Sequence, residues 1–439
     1  MAKQKLIPMY RYTPRTGSRI ISSITGAAEK NEKHTPGAVE KILSEIREKG
    51  ARAVIEYTKK FDGVSLKPST MRLSADLLEH RAKKTPRDLK KAVKEAAQRI
   101  KAFHLPQKPR GYSLQTAEGV LCQKIRPLSR VGVYVPGGRA AYPSTVLMNV
   151  IPARIAGVKD VVAVTPPQRE LHPAIAYALK LMKVTEVYQI GGAQAVGALA
   201  YGTRTIAPVE KIVGPGNRYV AQAKRCVYGT VDIDSIAGPS EVMILADQSA
   251  DASWVALDLL AQAEHGSGDE IAVCVTESDR FAKKLRRCIA DEIERSPRAC
   301  LPGESAGGTL SIVVTGSRKE SLEVINRCAP EHLQIMTVNP QHDLKGIVNA
   351  SAVFLGRFTP AALGDYFIGT NHVLPTGGAA RYASPLGVES FVKRISVAGA
   401  SRKGLKQAAP HVSTFARAEG LVYHALSVER RALSLEKIV

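Results

Sequence analysis

The sequence predicts an α/β protein made of two parallel-sheet units, with smaller extensions at both ends. Three observations predict it. From residue 124 onward, short apolar runs end in glycine or proline, and helix-like stretches follow them. The same alternation starts again after Ala246. A chain of 439 residues is also longer than one hydrophobic core fills. Continuous apolar runs suit parallel strands covered on both faces, and alternation with helices supplies the cover.

In chain order, the first ~105 residues read as helical and polar, with short strands at most. Residues 1–130 carry 29 Lys/Arg against 12 Asp/Glu, a surplus of 17 within a net charge of +22. The densest basic stretch, 81–101, predicts a helix capped by Thr85, with Pro86 at its first position. Leu89, Val93, Ala96, Ile100 and Phe103 form its apolar stripe, and Lys90, Lys91, Lys94 and Lys101 lie largely off it. A solvated face is the ordinary reading of those lysines; a polyanion-binding surface is the sharper one. Aromatic residues make up only 5% and none interleave with the lysines, so nucleic-acid binding stays a minor alternative.

The run 131–135 leads into Pro136-Gly137-Gly138, and 161–164 into Thr165-Pro166-Pro167. The run 187–190 leads into Gly191-Gly192-Ala193-Gln194, and 212–213 into Gly214-Pro215-Gly216-Asn217. These outline one α/β domain over 131–244. Beyond it come a helix at 252–265, a strand at 271–276, a helix at 279–294 and a strand at 308–314. This second α/β domain, 245–380, is expected to be completed by the basic region 1–130. The remainder, 381–439, reads as a strand followed by a helix around 416–435.

The best candidate for a membrane span, 146–158, is broken by Pro152 and Arg154. Residues 1–20 carry charges and no apolar h-region, so no secretory signal is expected. Six scattered cysteines without a C-x-x-C pair read as reduced thiols, and a cytoplasmic location is expected.

Glycine at a strand-to-helix turn lets the backbone approach a phosphate, where the helix N-terminus presents N–H donors. Three such turns fall within 131–244. None is G-x-G-x-x-G, because Gly191-Gly192 and Gly197 have the wrong spacing, so the fold reads as Rossmann-like with an incomplete dinucleotide fingerprint. Each turn alone is explained by tight geometry. Together they outline a cleft at successive strand ends, where open α/β sheets bind ligands.

Gln262 and His265 are three apart on a helical stretch and share a face, for which a satisfied surface pair is the ordinary reading and metal binding the sharper one. With Asp365, the nearby His372 and the distant His424, they offer nitrogen and oxygen donors suited to Zn²⁺, although glutamine is an unusual ligand. Glu331 and His332 follow Pro330. Neighbours in a regular strand point to opposite faces, so both serve one site only from a turn or an element end. On the residues alone the role of this pair stays open.

The chain resembles the histidinol dehydrogenases over nearly its whole length. The resemblance is carried by Val133-Tyr134-Val135-Pro136-Gly137-Gly138, Tyr142-Pro143-Ser144, Leu147-Met148-Asn149 and Gly191-Gly192-Ala193-Gln194-Ala195. It continues through Gly214-Pro215-Gly216-Asn217-Arg218-Tyr219-Val220, Ile233-Asp234 and Ala237-Gly238-Pro239-Ser240-Glu241. Ala261-Gln262-Ala263-Glu264-His265, Ala329-Pro330-Glu331-His332-Leu333, Gly364-Asp365-Tyr366 and Asn371-His372-Val373-Leu374-Pro375-Thr376 follow. Glu419-Gly420-Leu421 and His424-Ala425 complete it. The first ~100 residues carry little of this signature, and their basicity departs from it.

The resemblance implies a zinc enzyme that oxidises L-histidinol to L-histidine in two NAD-dependent steps through an aldehyde, ending histidine biosynthesis. It implies Gln262, His265, Asp365 and His424 as zinc ligands that also contact substrate. Glu331 and His332 are then the acid/base pair, with Ser240, Glu419 and His332 at the substrate, and Tyr134, Gln194 and Asn217 at NAD. It also implies a homodimer with an intertwined C-terminal region, in which Glu419 and His424 complete the partner subunit's site. No cysteine belongs to that set, which argues against a thiohemiacetal route. A related zinc/NAD enzyme acting on another small alcohol, such as a sulfonated diol, is the alternative. The stretch 139–149, with Ala140-Ala141-Tyr142-Pro143-Ser144, and Pro239-Ser240-Glu241 both follow the histidinol pattern.

Overall fold

The computed structural model describes residues 7–25, 35–137, 141–168, 170–236, 238–264, 269–295 and 309–434. Its strands in chain order begin with β1 Met9–Arg11, β2 Tyr112–Gln115, β3 Gly119–Pro127, β4 Arg130–Tyr134 and β5 Asp160–Val164. Next come β6 Glu186–Tyr188, β7 Lys211–Val213, β8 Asp232–Ile233, β9 Glu241–Ala246 and β10 Ile271–Thr276. The last are β11 Thr309–Val314, β12 His332–Met336, β13 Ala352–Leu355 and β14 Val392–Ala400. The chain divides into two compact units, Met1–Gln107 with Ser129–Ser390, and Lys108–Leu128 with Phe391–Val439.

The larger unit holds two parallel sheets of one topology. The first has the order β6-β5-β4-β7-β8, and the second β1-β11-β10-β9-β12-β13. In each, the earliest strand of the βα series is central and the chain reverses direction beside it, giving switch points between β4 and β7 and between β9 and β12. Strands β9 and β10 are buried along their whole length, as the apolar runs 242–246 and 271–275 within them require.

The basic N-terminal region serves both sheets. β1 pairs with β11 at the edge of the second sheet. The helices Thr35–Lys49 and Ala51–Asp62 instead cover the first sheet, where Ile42, Leu43 and Ile46 join Val196 and Leu199 in one core. A Cβ at Gly197 would lie 2.8 Å from Ile46 Cδ1, so glycine there permits the close approach of the two helices.

Within the basic stretch, the expected helix runs Arg87–His104, and a separate helix, Ala75–Lys83, precedes it. Pro86 rather than Thr85 occupies the cap position, and the Thr85 hydroxyl is buried without a partner. The buried stripe ends on His104, while Phe103 is exposed. A straight helix drifts relative to a fixed residue spacing, which turns the expected last position outward.

In the smaller unit, β3 pairs antiparallel with both β2 and β14. Residues 108–128, expected with the rest of 1–130 to complete the 245–380 domain, belong to this unit instead, because β3 pairs with β14 from the far end of the chain. The expected final helix runs Val422–Ser434, and a further helix, Arg402–Ala418, precedes it. Gly420, at φ 77°, makes the break between them, because the left-handed conformation ends a helix and costs glycine no Cβ clash. Among the described residues, no helix is long and apolar enough to cross a membrane.

Candidate active site

The glycine turns sit at the carboxyl ends of the first sheet. At Gly214, φ is 107° and a Cβ would lie 2.2 Å from the Tyr134 carbonyl oxygen, so only glycine lets the turn after β7 lie against the end of β4. A Cβ at Gly191 would meet Pro166 at 2.6 Å. The Tyr134 hydroxyl accepts the Gly192 N–H at 3.0 Å, and burial pushes its pKa up to about 12, so it stays neutral. Gln194 is buried in the helix Gly192–Tyr201 and donates to Asp62 Oδ2 at 3.3 Å. Asn217 caps the helix Arg218–Val227, with Oδ1 accepting from Tyr219 and Val220 N–H at 3.0 and 3.1 Å. Beneath this turn, buried Lys224 is paired with Asp234, and both hold the Gly214 peptide.

The second sheet presents its polar cluster at the opposite, amino ends of its strands. Ala329, at φ 51°, ends the helix Arg318–Cys328 in a left-handed cap. Glu331 therefore lies just outside β12 and His332 is its first residue, the element end that lets neighbours converge. The strand partner β9 begins with Glu241. Glu331 Oε2 accepts the Glu241 N–H at 2.9 Å, and Glu241 Oε2 accepts the Glu331 N–H at 3.3 Å. His332 Nδ1 donates to the Glu241 carbonyl at 3.1 Å and lies 3.5 Å from Glu331 Oε2. His332 Nε2 is 3.3 Å from Asp365 Oδ1, on the short helix Ala361–Tyr366.

These contacts set the electrostatics. Burial, then the charge of Glu331, pushes the Glu241 carboxyl up to about 7. Burial works against a charged His332 ring, yet the adjacent Glu331 and Asp365 carboxylates hold its pKa well above the ordinary value. His372 donates from Nδ1 to the Asp365 carbonyl at 3.1 Å, and its burial lowers its pKa. His372 thus supports the backbone of Asp365.

The structure brings together Glu331, His332 and Asp365, and places Ser240 immediately before Glu241. Ser240 is half-buried, and its carbonyl accepts from Ile271 N at 3.1 Å. Glu241 is the functional candidate that residue reading passed over. Its only signal was an acidic residue opening an otherwise apolar strand. Gln262 is buried near the end of the helix Ala252–Ala263. Glu419 and His424 belong to the smaller unit, where both are exposed: Glu419 follows the helix Arg402–Ala418, and His424 lies in Val422–Ser434. His265 lies outside the described residues, and among those described no three His, Cys, Asp or Glu side chains form a metal cluster.

Two features fit the groups that the ligand set calls for. The buried Gln262 amide leaves Nε2 without a hydrogen-bond partner, and the two amide ends are interchangeable by a flip. A cation accepting its oxygen would satisfy a group that is otherwise costly to bury. Gly191 and Gly214 pack their turns against Pro166 and Tyr134, and the helices Gly192–Tyr201 and Arg218–Val227 begin at or just after those turns, an arrangement whose N-terminal N–H groups fit a phosphate-bearing cofactor.

The family model for histidinol dehydrogenase matches residues 26–432. The histidinol dehydrogenase of Aquifex aeolicus (strain VF5) is 46% identical over 396 residues, 90% of this chain and 92% of that one. That of Gluconobacter oxydans (strain 621H) is 44% identical over 416 residues, 94% of this chain and 96% of its own. The crystal structure of histidinol dehydrogenase from Elizabethkingia anophelis superposes with a TM-score of 0.91 at 34% identity, covering 99% of both chains. A match of this extent, on the fold and residues described, makes the chain an oxidoreductase of the histidinol dehydrogenase family.

Proposed function

We propose that this protein oxidises L-histidinol to L-histidine through the aldehyde histidinal, in two NAD-linked steps at a zinc site. The carrying observation is the convergence of buried Glu331 and His332 with half-buried Asp365 at the amino end of β12. Bound zinc would ligate the substrate's imidazole and amine and bound NAD would accept hydride, with Gln262, His265, Asp365 and His424 around the first and Tyr134, Gln194 and Asn217 around the second.

His332 takes the hydroxyl proton. Its Nδ1–H is committed to the Glu241 carbonyl, so Nε2, which faces Asp365 Oδ1 at 3.3 Å, is the atom that exchanges protons; in the deprotonated ring it accepts the hydroxyl proton, and the neighbouring carboxylates stabilise the charged ring that results. Loss of that proton and of a hydride turns the alcohol into the aldehyde. Glu331 serves the second step by taking a proton from water as its oxygen adds to the aldehyde carbon. His332, having released its first proton to solvent, accepts another from the gem-diol as the second hydride leaves. Ser240 and Glu419 bind the substrate beside the pair.

The protein acts as a homodimer in which Glu419 and His424 complete the partner subunit's site. Exposed Phe415, Leu421, Val422 and Tyr423, on the smaller unit around Glu419 and His424, support that reading. A cytoplasmic location is supported by the free cysteines Cys122, Cys226, Cys274, Cys288 and Cys328. The relatives' names favour histidinol over the sulfonated diol.

Zinc-loaded protein supplied with histidinol and excess NAD should form two NADH per substrate, with histidine as product. No NADH, or one NADH with histidinal accumulating, would overturn the reading.

A further inference from the structure

We propose that Glu241 is the positioning residue for Glu331. It acts through a closed set of hydrogen bonds that no other residue type could make. Its Oε2 accepts the Glu331 N–H at 3.3 Å and its Oε1 accepts the Gly377 N–H at 2.8 Å. Its own N–H holds Glu331 Oε2 at 2.9 Å, and its carbonyl receives His332 Nδ1 at 3.1 Å. Every polar group of Glu241 is thereby spent on the catalytic pair or on the turn beside it. That turn is fastened on its other side too, where Thr376 Oγ1 accepts the Gly238 N–H at 2.6 Å. Glu241 thus ties the start of β9, the start of β12 and the 376–378 turn into one frame around Glu331.

The chemistry explains why a carboxylate is placed here at the expense of burying it. Two backbone donors converge on it from two segments, and only a carboxylate accepts at both ends. Glutamine presents an NH₂ to one of them in either orientation, and a buried donor facing a donor is unsatisfied. Glu241 also lies against the Glu331 carboxylate in a site of low dielectric, which favours proton uptake by Glu241. The upward shift of Glu241 itself is consistent with that field. Glu241 touches no reacting atom in this assignment; it acts by fixing the base that takes a proton from water.

This inference rests on the proposed function, but its test separates the two. In Glu241→Gln, hydrogen exchange at the Glu331 and Gly377 amides should accelerate about tenfold, the equivalent of one lost hydrogen bond. That readout needs no substrate. In single turnovers, NADH formation from histidinal should fall about 10²-fold, the scale of a misplaced catalytic group. Formation from histidinol should change far less, with both KM values within about twofold. Unchanged exchange at the two amides would overturn the clamp. Equal losses in both half-reactions would make Glu241 a purely structural residue and overturn its positioning role. If wild-type protein made no NADH from histidinol, the functional reading would fail while the exchange result still decided the clamp. Should Glu241→Gln not fold, Glu241→Asp keeps the charge but is too short to span both amides, and wild-type exchange and rates in it would refute the proposal.

Discussion

The ion pair beneath the Gly214 turn offers a direct test of how this fold holds its cofactor cradle. The Lys224 and Asp234 side chains are only 2% and 3% exposed. Lys224 Nζ also donates to the Gly214 carbonyl at 3.1 Å, while Asp234 accepts the Gly214 N–H at 2.7 Å and the Ser235 N–H at 2.6 Å. Asp234→Asn removes the buried ammonium's counter-charge and turns an NH₂ toward one of the groups the carboxylate served. Breaking a buried pair this way costs about 3–5 kcal/mol. Lys224→Met should cost less, because Asp234 keeps both backbone donors. The double variant should lose less than the sum of the two, with a coupling of about 1–3 kcal/mol. Urea denaturation followed by circular dichroism measures all three. Because the pair holds the Gly214 peptide against Tyr134, folded Asp234→Asn should also bind NAD about tenfold more weakly, or 1.4 kcal/mol. Additive losses within about 0.5 kcal/mol, or an Asp234→Asn variant as stable as wild type, would refute the reasoning.

Four further outcomes are expected. Glu331→Gln should impair histidinal oxidation more than histidinol oxidation, whereas His332→Asn should slow both by about 10²–10⁴-fold in single-turnover NADH formation at saturating NAD; equal losses for Glu331→Gln would remove the division of labour. Chelation should abolish activity and Zn²⁺ restore it, and His265→Asn or Gln262→Ala should hold less metal by atomic absorption; full metal content in either would contradict that ligand. Asp365→Ala and His424→Ala chains refolded together should regain activity that neither has alone, and failure to do so would mean each subunit builds its own site. His104 is buried, donates from Nδ1 to the Ile100 carbonyl at 2.7 Å, and has its pKa lowered by burial. Its neutral form therefore adds stability that is complete above the unfolded value near 6.5 and declines as pH falls below it. His104→Gln should flatten the stability profile between about pH 7 and 5.

The sequence by itself determined what depends on near neighbours in the chain. Unbroken apolar runs fix the parallel strands, since a strand covered on both faces has no polar side to show. Glycines mark the turns because the positive φ at Gly214 and Gly192 is adopted by residues with a Cβ only at a steric cost. The left-handed cap at Ala329 was foreshadowed by Pro330, and it makes the adjacent Glu331 and His332 serviceable together. Tertiary structure decided whatever depends on residues far apart in sequence. One of the two partners of β3, β14, lies beyond residue 391, and hydrogen-bond pairing carries no local signature when the connection is that long. The N-terminal helices chose the first sheet by matching apolar surfaces, which periodicity reveals as a stripe without naming its partner. Glu241 was legible only as a charge at the edge of an apolar run. Its meaning came from the Glu331 and Gly377 amides, 90 and 136 residues away, because a buried carboxylate is defined by the donors that converge on it.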